Sequence, residues 1–397
     1  MIRVLVVDDS ATVRRLVTTA LTGADGVEVV GTARDGREAV ELADRLDPDV
    51  VTLDIEMPEL DGLGALEEIR ARRPRQIVVM FSTLTERGAS ATLEALSLGA
   101  ADYVTKPSNV GSMAESITAV REQLVPRLVA LAGLRRLSTG QGPLARSTGG
   151  TSGGATSQAA SGVTPTAPRV DVPRRAGGAS GPGGATGGAA GAGPAPRATG
   201  ASDVLLIGSS TGGPDAVARV LADLPADLAV PVLLVQHMPP VFTTMFAQRL
   251  DKVSPLQVRE AADGGEVRPG EVLVAPGDHH LEVRRVAGGP VRVALTQDPP
   301  EHYCRPAVDV LLRSALEVYG GAATVLVLTG MGADGAAGAR RLRAAGARVL
   351  VQDEATSVVW GMPGAIASTG GADEVLPLDA VAPRLRSLLP SGARLRA

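Results

Sequence analysis

Up to about residue 137 the chain repeats one pattern, a short apolar run and then a stretch with apolar positions three to four apart. Ile2–Val7 precedes a helical pattern over Ala11–Leu21, Val27–Ala33 precedes Gly36–Arg45, and Val50–Asp54 precedes Gly62–Arg72. Ile77–Phe81 precedes Ala89–Leu98, and Asp102–Val104 precedes a last helix from about Ser112. Five alternating units of this kind predict a parallel sheet with helices on both faces. A second patterned region starts near Val204. It has strands over Val204–Gly208, Val232–Gln236 and Thr324–Leu328, and a helix from about Pro214, where proline suits a first turn. The expected class is α/β in both regions, with no internal repeat between them.

Between the two, periodicity disappears. From Ser138 to Ala201 lie 64 residues, of which 52 are Gly, Ala, Ser, Thr or Pro and none is aromatic. Such a segment has too little to bury to recover its ordering entropy, so it is predicted to be a disordered linker. Its mean span as a flexible coil is ~40–48 Å. The expected division is a first domain over 1–122, a helical extension over 123–137, the linker over 138–201 and a second domain over 202–394.

Composition narrows the function classes. The 397 residues carry a net charge of -4, and the linker holds five Arg against one Asp, which leaves -8 outside it. Neither flank is built to grip nucleic acid. A single cysteine, Cys304, excludes an internal disulfide framework and a cysteine zinc cluster, and points to a reducing compartment. No run of 18 apolar residues occurs, so no membrane span or insertion is expected. MIRVLVVDDS reads as a first core strand rather than a signal peptide, and a cytoplasmic placement follows.

In open parallel sheets ligands sit beyond the carboxyl ends of the strands. Asp8 and Asp9 end the first strand, Asp54 the third, Ser82 the fourth and Lys106 the fifth. One aspartate at a strand end is most often a solvated end or a cap. Three carboxylates on one edge repel one another unless a cation joins them, and a hard divalent ion such as Mg²⁺ suits oxygen ligands. A carboxylate beside Mg²⁺ and Lys is suited to accept a phosphoryl group.

The second region holds all four histidines: His237, His279, His280 and His302. Its first strand runs into GSSTGGP, where three interpretations compete. A nucleotide phosphate loop lacks its motif, since neither G-x-G-x-x-G nor G-x-x-x-x-G-K-[ST] occurs there. A tight turn is the plain alternative. The third is a nucleophile, Ser210, at the centre of a G-x-S-x-G match. That role needs a base and an orienting acid at other strand ends. His237 follows the second strand, in QHMPP, and Asp334 follows a third, in TGMGADGAAG. Backbone N–H groups around Thr211, Gly212 and Gly213, and around Met331 and Gly332, are candidate oxyanion donors. Asp334 could instead cap the helix that follows it. His279 and His280, in APGDHHLEV, read as turn residues at the surface. His302 in PPEHYCRPAVDVL is placed near the cleft, Cys304 as a packed thiol, and Phe242 and Phe246 as core contacts.

The strings VVDDS, TLDIEMPELDG, FST and DYVTKP resemble the receiver domain of response regulators, a flavodoxin-like fold, over roughly residues 1–122. The strings IGSSTGGP, QHMPPVFTTMFAQRL, VLVAPGDHH, RPAVDVL, LTGMGADGAAG and VVWGMPGAI resemble the chemotaxis-type protein-glutamate methylesterase domain, a mostly parallel doubly wound α/β fold, over nearly all of 203–394. The first resemblance implies Asp54 as phosphoacceptor and Mg²⁺ on Asp8, Asp9, Asp54 and the backbone at Glu56. It also implies Ser82 and Lys106 at the phosphoryl oxygens and Tyr103 as switch aromatic. Tyr103 by itself is equally a partly buried core aromatic. The second implies Ser210 as nucleophile, His237 as base and Asp334 as orienting acid, with no cofactor for hydrolysis. Together they imply a phosphorylation-activated hydrolase acting on glutamate γ-methyl esters of chemoreceptors, with glutamine deamidation open to the same chemistry. A chemotaxis histidine kinase would be the phosphodonor, and a monomer is expected. Two other classes stay open, a transcriptional output domain and a scaffold with an inactive esterase domain. The charge outside the linker argues against the first, and the intact Ser210, His237 and Asp334 against the second.

Overall fold

The computed structural model describes residues 1–107, 112–138 and 202–392. The predicted linker lies outside the described residues, apart from its first residue, Ser138.

The N-terminal half runs β1 Ile2–Val7, α1 Ala11–Leu21, β2 Val27–Ala33, α2 Gly36–Leu46, β3 Val50–Asp54, α3 Gly62–Arg72, β4 Ile77–Ser82, α4 Glu86–Ser97, β5 Asp102–Thr105 and α5 Met113–Ser138. Its five strands lie in the order β2-β1-β3-β4-β5, and all pairs are parallel. Every residue of β3 is buried, as expected for a sheet covered on both faces. Side chains at the loop ends start the helices. Asp35 accepts the Glu38 N–H at 2.9 Å, Asp61 the Gly64 N–H at 2.8 Å, and Thr85 the Gly88 N–H at 3.0 Å. The Thr85 cap begins α4 at Glu86, three residues before the Ala89 start expected from apolar spacing, because a capped first turn needs no buried residue. Ser112 and Glu115 form a reciprocal capping pair before α5. That helix runs through Pro126 without a break between Met113 and Ser138.

The C-terminal half runs β6 Val204–Ser209, α6 Gly213–Ala222, β7 Val232–Gln236, α7 Phe242–Val253, β8 Gln257–Glu260, β9 Glu271–Val274, β10 His280–Arg285, β11 Val291–Thr296, α8 Val308–Tyr319, β12 Ala323–Val327, α9 Ala336–Ala344, β13 Arg348–Gln352, α10 Met362–Ser368, β14 Glu374–Leu376 and α11 Leu378–Leu388. Seven strands form one parallel sheet in the order β14-β13-β12-β6-β7-β9-β8, while β10 and β11 form a separate antiparallel hairpin. The three central strands β12, β6 and β7 are buried at every position. Phe242 and Phe246 are fully buried in the core, as their spacing predicts.

Candidate active site

At the carboxyl edge of the first sheet, β1, β3, β4 and β5 are neighbours, so the residues at their ends meet. Lys106 Nζ lies 2.8 Å from Asp8 Oδ2 and 2.8 Å from Asp54 Oδ1. Asp54 Oδ1 also accepts the Ile55 N–H at 2.7 Å. Burial, aided by the charge on Asp8, pushes the Asp54 carboxyl up to about 6 despite Lys106. Burial likewise raises Asp8 against the pull of Lys106. Burial alone would lower the Lys106 ammonium, but the two carboxylates hold it above its usual value. Asp8, Asp9 and Asp54 present oxygens within 4.8 Å of one another. One ammonium cannot neutralise three acids, and an all-oxygen set of this kind fits a hard divalent cation. Asp9, Asp54, Glu56, Ser82 and Lys106 line one cavity of about 240 Å³. The Glu56 side chain turns to Arg87 at 3.4 Å, leaving its backbone at the pocket.

At the carboxyl edge of the second sheet, Asp334, Ser210 and His237 follow the adjacent strands β12, β6 and β7. His237 Nε2 lies 2.8 Å from Asp334 Oδ2, and the His237 side chain is only 10% exposed. Burial opposes charge on His237, but its hydrogen bonds to the Asp334 carboxylate and the Cys304 sulfur push it up to about 10. Asp334 is held below the usual carboxylate range by His237 against the effect of burial. Among the described residues no hydrogen bond joins the Ser210 hydroxyl to His237. The structure therefore pairs His237 with Asp334 and places Ser210 just after the strand between them. Of the candidate oxyanion donors, Gly213 is corrected: its N–H donates to Ser210 O at 2.8 Å and is occupied. The N–H groups of Thr211, Met331 and Gly332 donate to no described residue. Gly212, at φ 75°, turns the chain into α6, and a Cβ there would lie 2.5 Å from the Val358 side chain.

Three features escape a sequence reading. Asp334 does cap a helix, but a distant one. It accepts Val308 N at 2.6 Å and Asp309 N at 2.9 Å at the start of α8. Asp309 in turn accepts Gly338 N of α9 at 2.6 Å. Gln236, buried at the end of β7, accepts Ser209 Oγ at 2.7 Å and donates to Ser210 O at 2.9 Å, so it braces the Ser210 turn. Gln352, at the end of β13, accepts Thr329 N at 2.8 Å and holds the loop whose Thr329 carbonyl accepts Ser210 N. The signal was visible, an apolar strand ending in Gln in both VLLVQ and RVLVQ. His280 is corrected: it is fully buried, accepting Ala307 N at Nδ1 and facing Pro299 O at Nε2, while His279 is half-buried beside Gly277 O. Cys304 is not simply packed, since it lines a cavity with His237.

The CheB methylesterase model matches residues 205–385 and the response regulator receiver domain model residues 4–118. A protein-glutamate methylesterase/protein-glutamine glutaminase of a Nocardioides species is 49% identical over 99% of this chain and 99% of its own. The chain belongs to this methylesterase family. A protein of the same description from Trichodesmium erythraeum is 41% identical over 96% of this chain and 97% of its own. The CheB methylesterase catalytic domain of Thermotoga maritima is 42% identical, covers 47% of this chain and 99% of its own, and superposes with a TM-score of 0.46.

In this family member the receiver packs onto the methylesterase half at its active edge. Tyr103 is buried and stacks on Phe242, with ring centroids 4.8 Å apart and planes 5° from parallel. Thr211 Oγ1, next to Ser210, donates to receiver Asp102 Oδ2 at 2.7 Å, and Asp102 also takes Arg127 Nε at 3.1 Å. Val359 is part of the receiver core cluster around Phe81, Val104 and Leu124, and Met331 packs against it. Arg249 of α7 donates to the Leu93 carbonyl of α4. No described helix is long and apolar enough to cross a membrane.

Proposed function

We propose that the chain hydrolyses glutamate γ-methyl esters on the helical cytoplasmic part of a chemoreceptor, under control of receiver phosphorylation by a chemotaxis-type histidine kinase. The carrying observation is the strand order: β12, β6 and β7 are neighbours, and their tips hold Asp334, Ser210 and His237. Ser210 attacks the ester carbonyl while His237 takes its proton. The proton returns to the departing methoxide, methanol leaves, and water then releases the glutamate by the same route. Asp334 fixes the His237 ring and supports the imidazolium. The free N–H groups of Thr211, Met331 and Gly332 are placed to stabilise the tetrahedral oxyanion. The same acyl chemistry releases ammonia from glutamine.

Asp54 is the phosphoacceptor in this reading, and Lys106 and Ser82 meet the phosphoryl oxygens. Asp8, Asp9, Asp54 and the Glu56 backbone would hold Mg²⁺, which when bound offsets the charge of a phosphoryl group arriving among carboxylates. In this reading the predicted boundary at 122 is corrected: the receiver takes in α5, whose Leu124, Leu128 and Leu131 lie in its core, and the linker joins it to the domain that starts at 202. The docked receiver holds the cleft closed through Tyr103 and Asp102. Methanol release from methylated receptor, with and without a small-molecule phosphodonor, tests the whole reading. No methanol in either condition overturns it.

A further inference from the structure

Of the three tyrosines, Tyr103 is buried and Tyr319 is partly buried, but Tyr303 is fully exposed, at 103%. It stands at the tip of a turn between β11 and α8. Glu301 and Cys304 close that turn with reciprocal backbone hydrogen bonds of 3.1 and 2.8 Å. The two residues between them, His302 and Tyr303, are both left-handed, at φ 51° and 62°. Gly and Asn adopt such a two-residue turn readily, whereas a bulky side chain is strained at each position. The Tyr303 ring offsets none of this within the fold, because no described residue covers it.

The stem beneath the ring is pinned on all sides. Arg313 clamps Glu301 with both terminal nitrogens. His302 Nε2 lies 3.1 Å from Asp309 Oδ2. Arg305 pairs with Asp278 and donates to the carbonyls of Gln297 and Asp298 at 3.0 and 3.1 Å. Tyr303 is therefore fixed in place on the rim of the cleft, lining the same cavity of about 270 Å³ as His237 and Cys304. Strained residues on an over-determined backbone cluster where a protein clamps a ligand.

We infer that Tyr303 is a specificity-determining residue that lays its ring on the apolar face of the receptor helix beside the esterified glutamate. The inference rests on the methylesterase reading above. A helix that sends one side chain into the cleft must cover the rim, and its next turn lies only about 5.4 Å away. A rigidly carried aromatic ring offers that turn a large contact at small entropic cost.

The test uses the full chain with a small-molecule phosphodonor and two substrates, methylated receptor and a small glutamate methyl ester. The readout is the ratio of their kcat/KM values. Tyr303→Ala and Tyr303→Gly lower the ratio about tenfold, through the KM for receptor, while Tyr303→Phe retains it. Tyr303→Gly unfolds at or above the wild-type temperature, since glycine relieves the left-handed strain. A ratio unchanged in Tyr303→Ala and Tyr303→Gly overturns the inference. So does an equal loss on both substrates, which would make Tyr303 a support of the cleft. Wild-type protein that hydrolyses neither substrate fails differently and removes the methylesterase reading itself.

Discussion

The two halves start their helices in different ways, and the difference tracks what their sites must do. In the receiver, α1, α2, α3 and α4 are each capped by the residue just before them: Ser10, Asp35, Asp61 and Thr85. In the methylesterase half none of α6 to α11 is capped by its own N-cap side chain. Gly212 and Gly335 lead into α6 and α9 in left-handed conformation, and Asp334 caps α8 from another loop. The receiver pocket works with formal charges on side chains, so its helix ends can be closed locally. In the proposed mechanism the esterase cleft uses backbone N–H groups, and bare turns are left beside Ser210. Asp334 serves both needs at once, orienting His237 and closing α8.

The largest effect should come from Ser210→Ala. It should cut methanol release by on the order of 10⁴-fold or more, while Asp54 still takes up phosphoryl groups. Release near the wild-type rate would remove the triad from the comparison. Asp54→Asn comes next: acceleration by a phosphodonor should vanish, and a mutant that is still accelerated would show that the charged pocket lies elsewhere. Gln236→Ala leaves the Ser209 hydroxyl and the Ser210 carbonyl without their buried partner. It should destabilise the methylesterase half by about 1–3 kcal/mol in chemical denaturation, with a lower kcat. An unchanged midpoint would mean that the turn is held by its backbone alone.

Tyr103→Ala removes a stacked pair worth about 0.5–1.5 kcal/mol, so unphosphorylated hydrolysis should rise severalfold, and no rise would separate the two sites. The smallest effect concerns Cys304. His237 is raised to about 10 by Asp334 and in part by the Cys304 sulfur, so basal kcat/KM should climb with pH as His237 loses its proton. Cys304→Ala should move this acid limb to lower pH, because a group holding the proton is gone. A limb that stays in place would show that Asp334 alone sets it.

The acid pocket was largely legible in the sequence, because each of its residues sits directly at the end of an apolar run. The order of the strands then brings those ends together. Ser210 and His237 likewise directly follow apolar runs, whereas Asp334 lies in a glycine-rich loop well past the end of β12 at Val327. His280 was misread because APGDHHLEV carries turn residues right up to the strand, and burial of an imidazole leaves no mark on local pattern. Gly213 looked like a free donor because a glycine-rich turn shows how many N–H groups it holds, but not which of them the turn itself uses. Thr85 shifted the start of α4 by a cap that apolar spacing does not register.

Taken alone, the sequence determined the parallel strand–helix alternation, the residues at the strand ends and the family. These depend on near-neighbour periodicity and on motifs contained in short segments. Only the tertiary structure decided that Asp334 caps α8, that Gln236 braces the Ser210 turn and Gln352 the loop at Thr329, and that Thr211 meets Asp102 across 109 residues. Such pairings join distant segments through hydrogen bonds between buried groups. Their partners are set by which strand tips the fold places side by side, and no local pattern encodes that.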